Sequence, residues 1–259
     1  MILEDIGHEA LSFVGGVGDL ALFGIRVLGS IPATRGLFRR ALRAVHEVGI
    51  RCLPVVAIVG LFTGIVLGLE GYHTLARLGS ESVLGSLVLL SLVRELGPVL
   101  AALMIIGQSG SALAAELGIQ RNSEQIDALG TMGINALGFL AAPRLIASIF
   151  VYPILTLAFN ASGIIGGAIS GCLVMGLDPG VYRTSAEGAL GSGDLAECLV
   201  KSAVFGVLTV AICMHQGYTA HLRVGVSGAR SVSLSTTRAV VLACVTVLAA
   251  DALITSAFL

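Results

Sequence analysis

The sequence predicts an all-α integral membrane protein. It should contain an N-terminal interfacial amphipathic helix, five transmembrane helices and a short cytoplasmic helix between spans two and three. Hydrophobic residues make up 56% of the 259 residues and charged residues only 12%, which is about half the charged share of an ordinary soluble domain. Several apolar segments are also long enough to cross a bilayer. The formal net charge of −1 gives no reason to expect nucleic-acid binding.

Five segments are predicted to cross the membrane, because each comes near or exceeds the roughly 20 mostly apolar residues that a spanning helix needs. In chain order they are residues 52–69, 83–112, 145–177, 199–214 and 239–259. The second contains Gly97-Pro98, where proline is expected to bend the helix. Residues 128–143 contain several glycines and are predicted to form a connector into the third span. The chain thus divides into an N-terminal segment, 1–51, and a five-span domain, 52–259.

Residues 37–50 show a basic amphipathic pattern directly before the first span. Apolar residues recur there at helical spacing, and Arg39, Arg40 and Arg43 lie among them. Such a helix suits the cytoplasmic surface of a membrane. A juxtamembrane segment that only sets the topology fits the pattern equally well.

The placement of arginines predicts the orientation of the chain, because basic residues accumulate in cytoplasmic loops. With the N-terminus in the cytoplasm, the arginine-rich segments before span one, between spans two and three, and between spans four and five are all cytoplasmic. Five spans then place the C-terminus on the opposite, periplasmic side. The arginines concerned are Arg26, Arg35, Arg39, Arg40, Arg43, Arg51, Arg121, Arg144, Arg223, Arg230 and Arg238.

Four charged residues lie within the predicted spans, namely Arg94, Glu95, Lys201 and Asp251. Charges inside a bilayer are costly, so they are usually paired or face a cavity. Counted at about 1.5 Å per helical residue, all four can reach the outer half of the bundle. We therefore expect a charge-compensated network around a polar cavity. The alternative is a staple between helices with a purely structural role.

Glycines repeat every fourth residue in the first and third spans. Each series makes a flat helix face on which another helix can approach closely. The pattern predicts close helix packing and says little about function. The two series are Gly60, Gly64 and Gly68, and Gly163, Gly167 and Gly171.

Residues 114–129 form a polar stretch between spans two and three. Ser123 is placed to cap a short helix that starts at Glu124. A helix at this surface can dock into a partner, although a solvated loop is the more common structure for such a stretch.

The sequence does not predict an enzyme. It shows no catalytic constellation and no G-x-x-x-x-G-K-[ST] nucleotide loop. His215 and His221 are only a weak indication of a metal site. We therefore expect this chain to be no enzyme and to hold no metal or cofactor.

Several strings resemble the MlaE/YrbE permease family, in the family's order and spacing. The resemblance covers nearly the whole chain after about residue 30. One departure lies at Gln108, where the family usually has an arginine in a G-R-x-G-[SA] motif. The strings are GLFTGIVLGLEGY (60–72), SLVRELGPVLAAL (91–103), GSALAAELG (110–118), EQIDALGTMGI (124–134), APRLIA (142–147) and CLVKSAVFG (198–206).

The resemblance implies the permease subunit of an ABC-type intermembrane phospholipid transporter in a bacterial inner membrane. Two copies are expected to enclose a lipid cavity open to the periplasm, with Leu67, Tyr72, Leu75 and Leu78 in its wall. The four buried charges fall where the family places polar residues near that cavity.

The resemblance also implies partner proteins. A separate ABC ATPase is expected to bind ATP and Mg²⁺, a periplasmic MCE-domain protein to exchange lipid, and a small STAS-like subunit to regulate the complex. The polar stretch then becomes the coupling helix that contacts the ATPase. Its candidate residues are Glu116, Arg121, Glu124, Gln125 and Asp127.

Two other classes of function remain open from the sequence. An ion- or proton-coupled secondary transporter would use Glu95 and Asp251 as carriers, but such folds usually contain internal repeats, and no convincing repeat is visible. A membrane scaffold would use the buried charges only for assembly. Co-purification separates these classes, because only an ABC permease is expected to retain a soluble ATPase.

Overall fold

The computed structural model describes residues 18–20, 22–27, 29–30, 37–222 and 228–258. The described residues form helices joined by short turns, and five helical segments are long and apolar enough to cross a membrane. The predicted all-α membrane class is therefore confirmed. Much of the N-terminal segment lies outside the described residues, as do Arg35 and Arg223, on which the predicted orientation partly depends.

The α-helices pack into a bundle of spans connected at alternate ends. In chain order they are α1 (Leu37–Ala76), α2 (Leu84–Ser91), α3 (Gly97–Ile105), α4 (Ser111–Asn122), α5 (Gln125–Thr131), α6 (Ala136–Ala168), α7 (Pro179–Ala189), α8 (Ser192–Tyr218) and α9 (Ala229–Phe258). Single π-helical segments join α2 to α3 (Leu92–Leu96), join α3 to α4 (Ile106–Gly110) and extend α6 (Ile169–Val174). The five spans are span 1 (Arg39–Ala76), span 2 (Glu81–Asn122), span 3 (Ala136–Val174), span 4 (Gly193–Tyr218) and span 5 (Ala229–Ala257).

The two ends of the bundle differ in charge. We call the end where α1 begins and where spans 2 and 3 are joined the basic end, because it carries Arg39, Arg40, Arg43, Arg121 and Arg144. The opposite end, which includes α7, is called the far end.

The predicted interfacial segment and the first span form one continuous helix. α1 runs through residues 51 and 52, with Pro54 inside it. Arg40 lies over the ring of Phe139, 3.8 Å from its centroid, so the first turns of α1 are held against span 3. Ala41 and Ala44, in the same turns of α1, are buried.

The connector predicted over residues 128–143 is shorter than expected. The prediction is wrong for its second half, which is helical. α5 extends to Thr131, and α6 already begins at Ala136. The side chain of Asn135 caps α6 by accepting hydrogen bonds from the backbone N–H groups of Leu137 and Gly138. Gly138 is buried. The glycine that suggested a break is thus part of a packed helix.

The glycine faces of spans 1 and 3 pack against each other; the repeats predicted a close approach of another helix to each face, but not which helix. A Cβ atom added to Gly64 would lie 1.8 Å from the carbonyl oxygen of Gly163, and one added to Gly166 would lie 2.1 Å from that of Leu61. The two backbones therefore approach too closely for any side chain larger than hydrogen at these positions. This contact fixes the spacing of the two helices.

A helix that was not predicted from the sequence, α7, lies at the far end. Asp178 Oδ1 accepts hydrogen bonds from the N–H groups of Gly180 and Val181, at 2.7 and 3.2 Å. Pro179 occupies the first helical position. An Asp-Pro pair of this kind is a helix-start signal and was available in the sequence.

α7 is held against spans 2 and 3 by polar contacts. The hydroxyl oxygens of Ser86 and Ser185 are 2.6 Å apart, and the Tyr182 hydroxyl donates to the carbonyl oxygen of Ile164 at 3.1 Å. Burial raises the pKa of Tyr182 to about 12, so the phenol keeps its proton and this hydrogen bond into the alkaline range. α7 is thus a fixed part of the far end.

Candidate functional site

The ammonium group of Lys201 is the centre of a polar cluster inside the bundle. Its side chain is completely buried in span 4. Nζ donates hydrogen bonds to Glu95 Oε1 at 3.0 Å and to Thr255 Oγ1 at 2.8 Å. It also lies 2.9 Å from Glu197 Oε1 and 3.6 Å from Asp251 Oδ1. We call these five residues the Lys201 cluster; they join spans 2, 4 and 5.

A backbone carbonyl in span 2 completes the surroundings of the ammonium. Lys201 Nζ donates to the carbonyl oxygen of Arg94 at 2.8 Å. Four residues further along is Pro98, which has no N–H group to donate to that oxygen. Arg94 also lies in the π-helical segment Leu92–Leu96, where the regular helical hydrogen bonds shift. The proline therefore frees an acceptor, and the lysine uses it.

The cluster contains more carboxylate than ammonium. Three carboxylates, of Glu95, Glu197 and Asp251, surround one lysine. Their side chains are 43%, 14% and 17% exposed, respectively. Glu95 is the most exposed of the three, so it is the member best placed to contact a second protein chain or a ligand.

The side chain of Arg94 lies apart from the Lys201 cluster, contrary to expectation. It is 52% exposed and pairs with Asp194, whose Oδ1 accepts from Arg94 Nε and Nη2, both at 2.8 Å. Neighbouring residues on a helix point about 100° apart, so Arg94 and Glu95 cannot both face Lys201. The structure thus brings together three of the four predicted charges, and only the backbone of Arg94 takes part.

Two acidic residues of span 4 were missed. Asp194 and Glu197 precede Lys201 by seven and four residues, spacings that place them on the same helix face. That spacing was the signal that could have identified them. Both lie near the far end of span 4, where polar residues are less costly than at the bilayer centre.

The four predicted lipid-cavity residues follow the far end of α1 and the turn after it. Leu67 and Tyr72 are half-buried and pack against the core, Leu75 is buried, and Leu78 is 72% exposed. The predicted cavity requires a second copy of the chain, so this assignment stays a prediction.

The predicted coupling segment consists of the end of α4 and the short helix α5. Ser123 does not cap α5, because its hydroxyl donates back to the carbonyl oxygen of Ile119 at 2.8 Å. Glu124 instead adopts a left-handed conformation, with φ of 60°, and turns the chain into α5. The predicted helix is present one residue later than expected, and its predicted cap is wrong.

Internal contacts hold several of the coupling candidates. Glu116 pairs with Arg144 at 2.6 Å. Arg121 pairs with Asp127 and donates from Nε to His221 Nδ1 at 3.1 Å. These side chains thus bind other parts of this chain.

Other residues of this segment are exposed or link it to span 5. Glu124 and Gln125 are exposed, as are Ile119 and Met132; we call these four residues the tip. Asn122 Nδ2 donates to the carbonyl oxygen of Gly228 at 3.0 Å and to Ser231 Oγ at 2.9 Å. Asn122, which lies between Ile119 and Glu124, therefore attaches this segment to span 5.

Spans 1 and 5 bury little of their surface within the protomer. In their most apolar windows, 28% of the residues are buried in span 1 and 17% in span 5. Exposed apolar side chains of span 5 include Val241, Val245 and Leu253. These faces are available for lipid or for another membrane helix.

Comparison with known proteins agrees with this architecture. Residues 41–257 match the family model for permease MlaE. The chain is 35% identical over 257 residues to a probable ABC transporter permease protein of Rickettsia bellii, covering 99% of this chain and 97% of the relative. It is 34% identical over 255 residues to the intermembrane phospholipid transport system permease protein MlaE of Haemophilus influenzae, covering 98% and 96%.

The similarity extends to a plant protein. The chain is 33% identical over 221 residues to the chloroplastic protein TRIGALACTOSYLDIACYLGLYCEROL 1 of Arabidopsis thaliana, covering 85% of this chain and 62% of the relative. The family match includes all four predicted buried charges and the coupling segment. The chain therefore belongs to the MlaE permease family.

Proposed function

We propose that this chain is the permease subunit of an ABC transporter that moves phospholipid, or a similar hydrophobic lipid, between a bacterial inner membrane and a periplasmic MCE-domain protein. The observation that carries the proposal is the full-length similarity to a permease of an intermembrane phospholipid transport system. A separate ATPase binds and hydrolyses ATP with Mg²⁺. The same similarity favours this function over an ion-coupled secondary transporter.

The distribution of basic residues supports an orientation in this membrane. The basic end faces the cytoplasm, because short cytoplasmic loops are rich in Arg and Lys. The N-terminus then lies in the cytoplasm and the C-terminus in the periplasm. The far end, with α7 and the nearby Lys201 cluster, then faces the periplasmic side, where lipid is exchanged with the MCE-domain protein.

The functional unit is a homodimer in this proposal. The sparsely buried faces of spans 1 and 5 provide apolar surface for a second copy. Such an assembly encloses a lipid cavity between the copies, with Leu67, Tyr72, Leu75 and Leu78 in its wall. Glu95, which is 43% exposed within one protomer, then faces the space between the copies.

Span 2 connects the proposed ATPase contact to the Lys201 cluster. The tip lies at one end of span 2, and Glu95 lies further along the same span. Two π-helical segments, Leu92–Leu96 and Ile106–Gly110, interrupt the span between α2 and α4. Such segments are common at functional sites. Movement of the tip by the ATPase is transmitted through span 2 and changes the width of the lipid cavity, while a STAS-like subunit regulates the ATPase.

Purification of the native complex tests this function. The chain is isolated in mild detergent, co-purified proteins are identified, and bound lipid is measured by mass spectrometry. We expect a soluble ABC ATPase and at least one phospholipid per complex. A preparation that retains neither, from membranes in which an ABC ATPase of this type is expressed, would contradict the proposal.

A further inference from the structure

A cavity lies at the basic end, in a different place from the Lys201 cluster. It has a volume of about 290 Å³ and lies between α1, span 2, span 3 and span 4. It shares no residue with the Lys201 cluster. Its lining includes the polar residues Arg51, Gln108, Glu116 and Arg144, which we call its polar side. It also includes the apolar residues Leu113 and Val210, which we call its apolar side.

The polar side of this cavity carries an excess of positive charge. Arg51 and Arg144 contribute two guanidinium groups, and Glu116 contributes one carboxylate. The Arg51 side chain is free to turn towards a ligand because it is exposed. Gln108, at the position where the family usually has arginine, donates from Nε2 to the carbonyl oxygen of Arg51 at 2.9 Å. This hydrogen bond holds α1 against span 2 at the cavity.

Arg144 has hydrogen-bonding capacity that its protein contacts do not use. Its Nη2 donates to Glu116 Oε1 at 2.6 Å. Its Nη1 is buried and has no hydrogen-bond partner among the described residues. A buried N–H donor without a partner is unfavourable, even on a side chain that is 22% exposed overall, so an acceptor in the cavity would stabilise it. A phosphate or carboxylate is the acceptor that guanidinium binds best.

The size and lining of the cavity fit only part of a lipid. Its apolar wall suits methylene groups. Its volume is at the lower end of the range for small-molecule sites, too small for two complete acyl chains. The cavity therefore suits an anionic headgroup and its first methylenes, with the remaining chains outside, among the membrane-facing helices.

We propose that this cavity binds the anionic headgroup of a membrane lipid, with Arg144 and Arg51 on its phosphate or carboxylate and with Leu113 and Val210 against the adjoining methylenes. This proposal rests on the proposed function, because that function places the chain in a membrane that supplies the lipid. The new site lies at the cytoplasmic leaflet and is separate from the proposed cavity between the two copies. Free inorganic phosphate shares the recognised chemistry and is separated by the experiment.

Photolabelling of the complete complex tests the site. The probe is phosphatidic acid with a diazirine close to the headgroup, added to nanodiscs of phosphatidylcholine without nucleotide, and labelled peptides are mapped by mass spectrometry. We expect label on peptides that contain Leu113 or Val210. The double variant Arg51→Gln/Arg144→Gln should reduce this label at least tenfold, since a single hydrogen bond to a charged group already contributes about that factor.

Three further variants are expected to leave the photolabel unchanged, to increase it or to retain part of it. Arg39→Gln/Arg43→Gln removes the same charge from exposed positions of α1 outside the cavity and should leave the label unchanged. Glu116→Gln frees Arg144 and should increase the label. Arg144→Lys keeps the charge and should retain part of it. Excess inorganic phosphate should not compete, whereas competition would show that the site takes the free ion.

Unchanged labelling in the Arg51→Gln/Arg144→Gln variant, or a decrease in Glu116→Gln, would overturn the proposal. The two proposals can fail separately, because labelling without nucleotide requires no transport. A preparation that retains neither the ATPase nor co-purified phospholipid, but labels at Leu113 or Val210 with the added probe, refutes the proposed function and keeps the site. A complex that retains ATPase and phospholipid but shows no label there refutes only the site.

Discussion

Lys201 in span 4 donates a hydrogen bond to the backbone carbonyl of Arg94 in span 2, at 2.8 Å. Pro98 cannot donate to this carbonyl, so the lysine replaces a helical hydrogen bond. The same ammonium contacts Glu95, Glu197 and Asp251. One side chain thus compensates a helix defect and holds the carboxylates of three spans together.

Replacement of Lys201 by methionine should strongly destabilise the protein. Methionine is of similar length but leaves the carboxylates of Glu95, Glu197 and Asp251 without their cation. Breaking a buried ion pair on one side costs roughly 3–5 kcal/mol. The loss is measured as a lower midpoint of thermal aggregation in detergent. Arg183→Met is the control, because its pair with Glu187 is exposed and should contribute less than about 1 kcal/mol. Equal midpoints for the two variants would contradict the structural role of the cluster.

Replacement of Pro98 by alanine should preserve folding and impair transport. Alanine supplies an N–H donor to the Arg94 carbonyl, which then has less need of Lys201, and the π-helical segment can relax to an α-helix. We expect a several-fold lower rate of lipid transfer with a nearly unchanged melting midpoint. Pro54→Ala in α1 is the matched control, since this proline lies outside the Lys201 cluster. Wild-type transfer by Pro98→Ala would show that the freed carbonyl has no role in transport.

Introduction of a methyl group at Gly64 should disturb the contact of spans 1 and 3. In Gly64→Ala the new Cβ would lie 1.8 Å from the carbonyl oxygen of Gly163, so the helices must separate. Overpacking of this kind costs about 1–3 kcal/mol. Gly107→Ala is the control, because a Cβ there meets no atom within 4 Å. Folded yield and thermal midpoint in detergent are the readouts, and equal values for both variants would refute the close approach.

Charge reversal at the tip should weaken the ATPase contact without unfolding the permease. Glu124 is exposed, so Glu124→Lys should change stability by less than about 0.5 kcal/mol. We expect weaker binding of the ATPase and less lipid moved per ATP hydrolysed. Asp127 is a poorer choice for reversal, because it already pairs with Arg121. Glu187→Lys at the far end is the control. Unaltered ATPase binding by the Glu124→Lys variant would show that the ATPase contacts another part of the basic end.

The parts of the fold that depend on composition and spacing were predictable. The number of spans follows from apolar segment length, and the meeting of Glu95, Lys201 and Asp251 follows from the cost of unpaired charge in a bilayer. The close helix approach at the glycine faces of spans 1 and 3 follows from their four-residue repeat, although the repeat does not show that the two faces meet each other. In each case a strong physical requirement leaves few alternatives.

The parts that depend on three-dimensional direction were not predictable in the same way. The sequence shows that Arg94 and Glu95 are adjacent but not which of them faces Lys201, because the helix phase is set by packing and by the π-helical segment. The start of span 3 was misplaced because Gly138 suggested a break, whereas tertiary packing keeps it helical. The cavity at Arg51 and Arg144 joins residues from distant parts of the chain that share no motif.

The most direct test of the central claim is lipid transfer by the reconstituted complex. The permease, its ATPase and the MCE-domain protein are placed in liposomes with labelled phospholipid, and ionophores collapse all ion gradients. We predict transfer of lipid to or from the MCE-domain protein that requires ATP hydrolysis and persists without a gradient. Transfer that is indifferent to ATP and stops when the gradients collapse would contradict the account and identify an ion-coupled carrier.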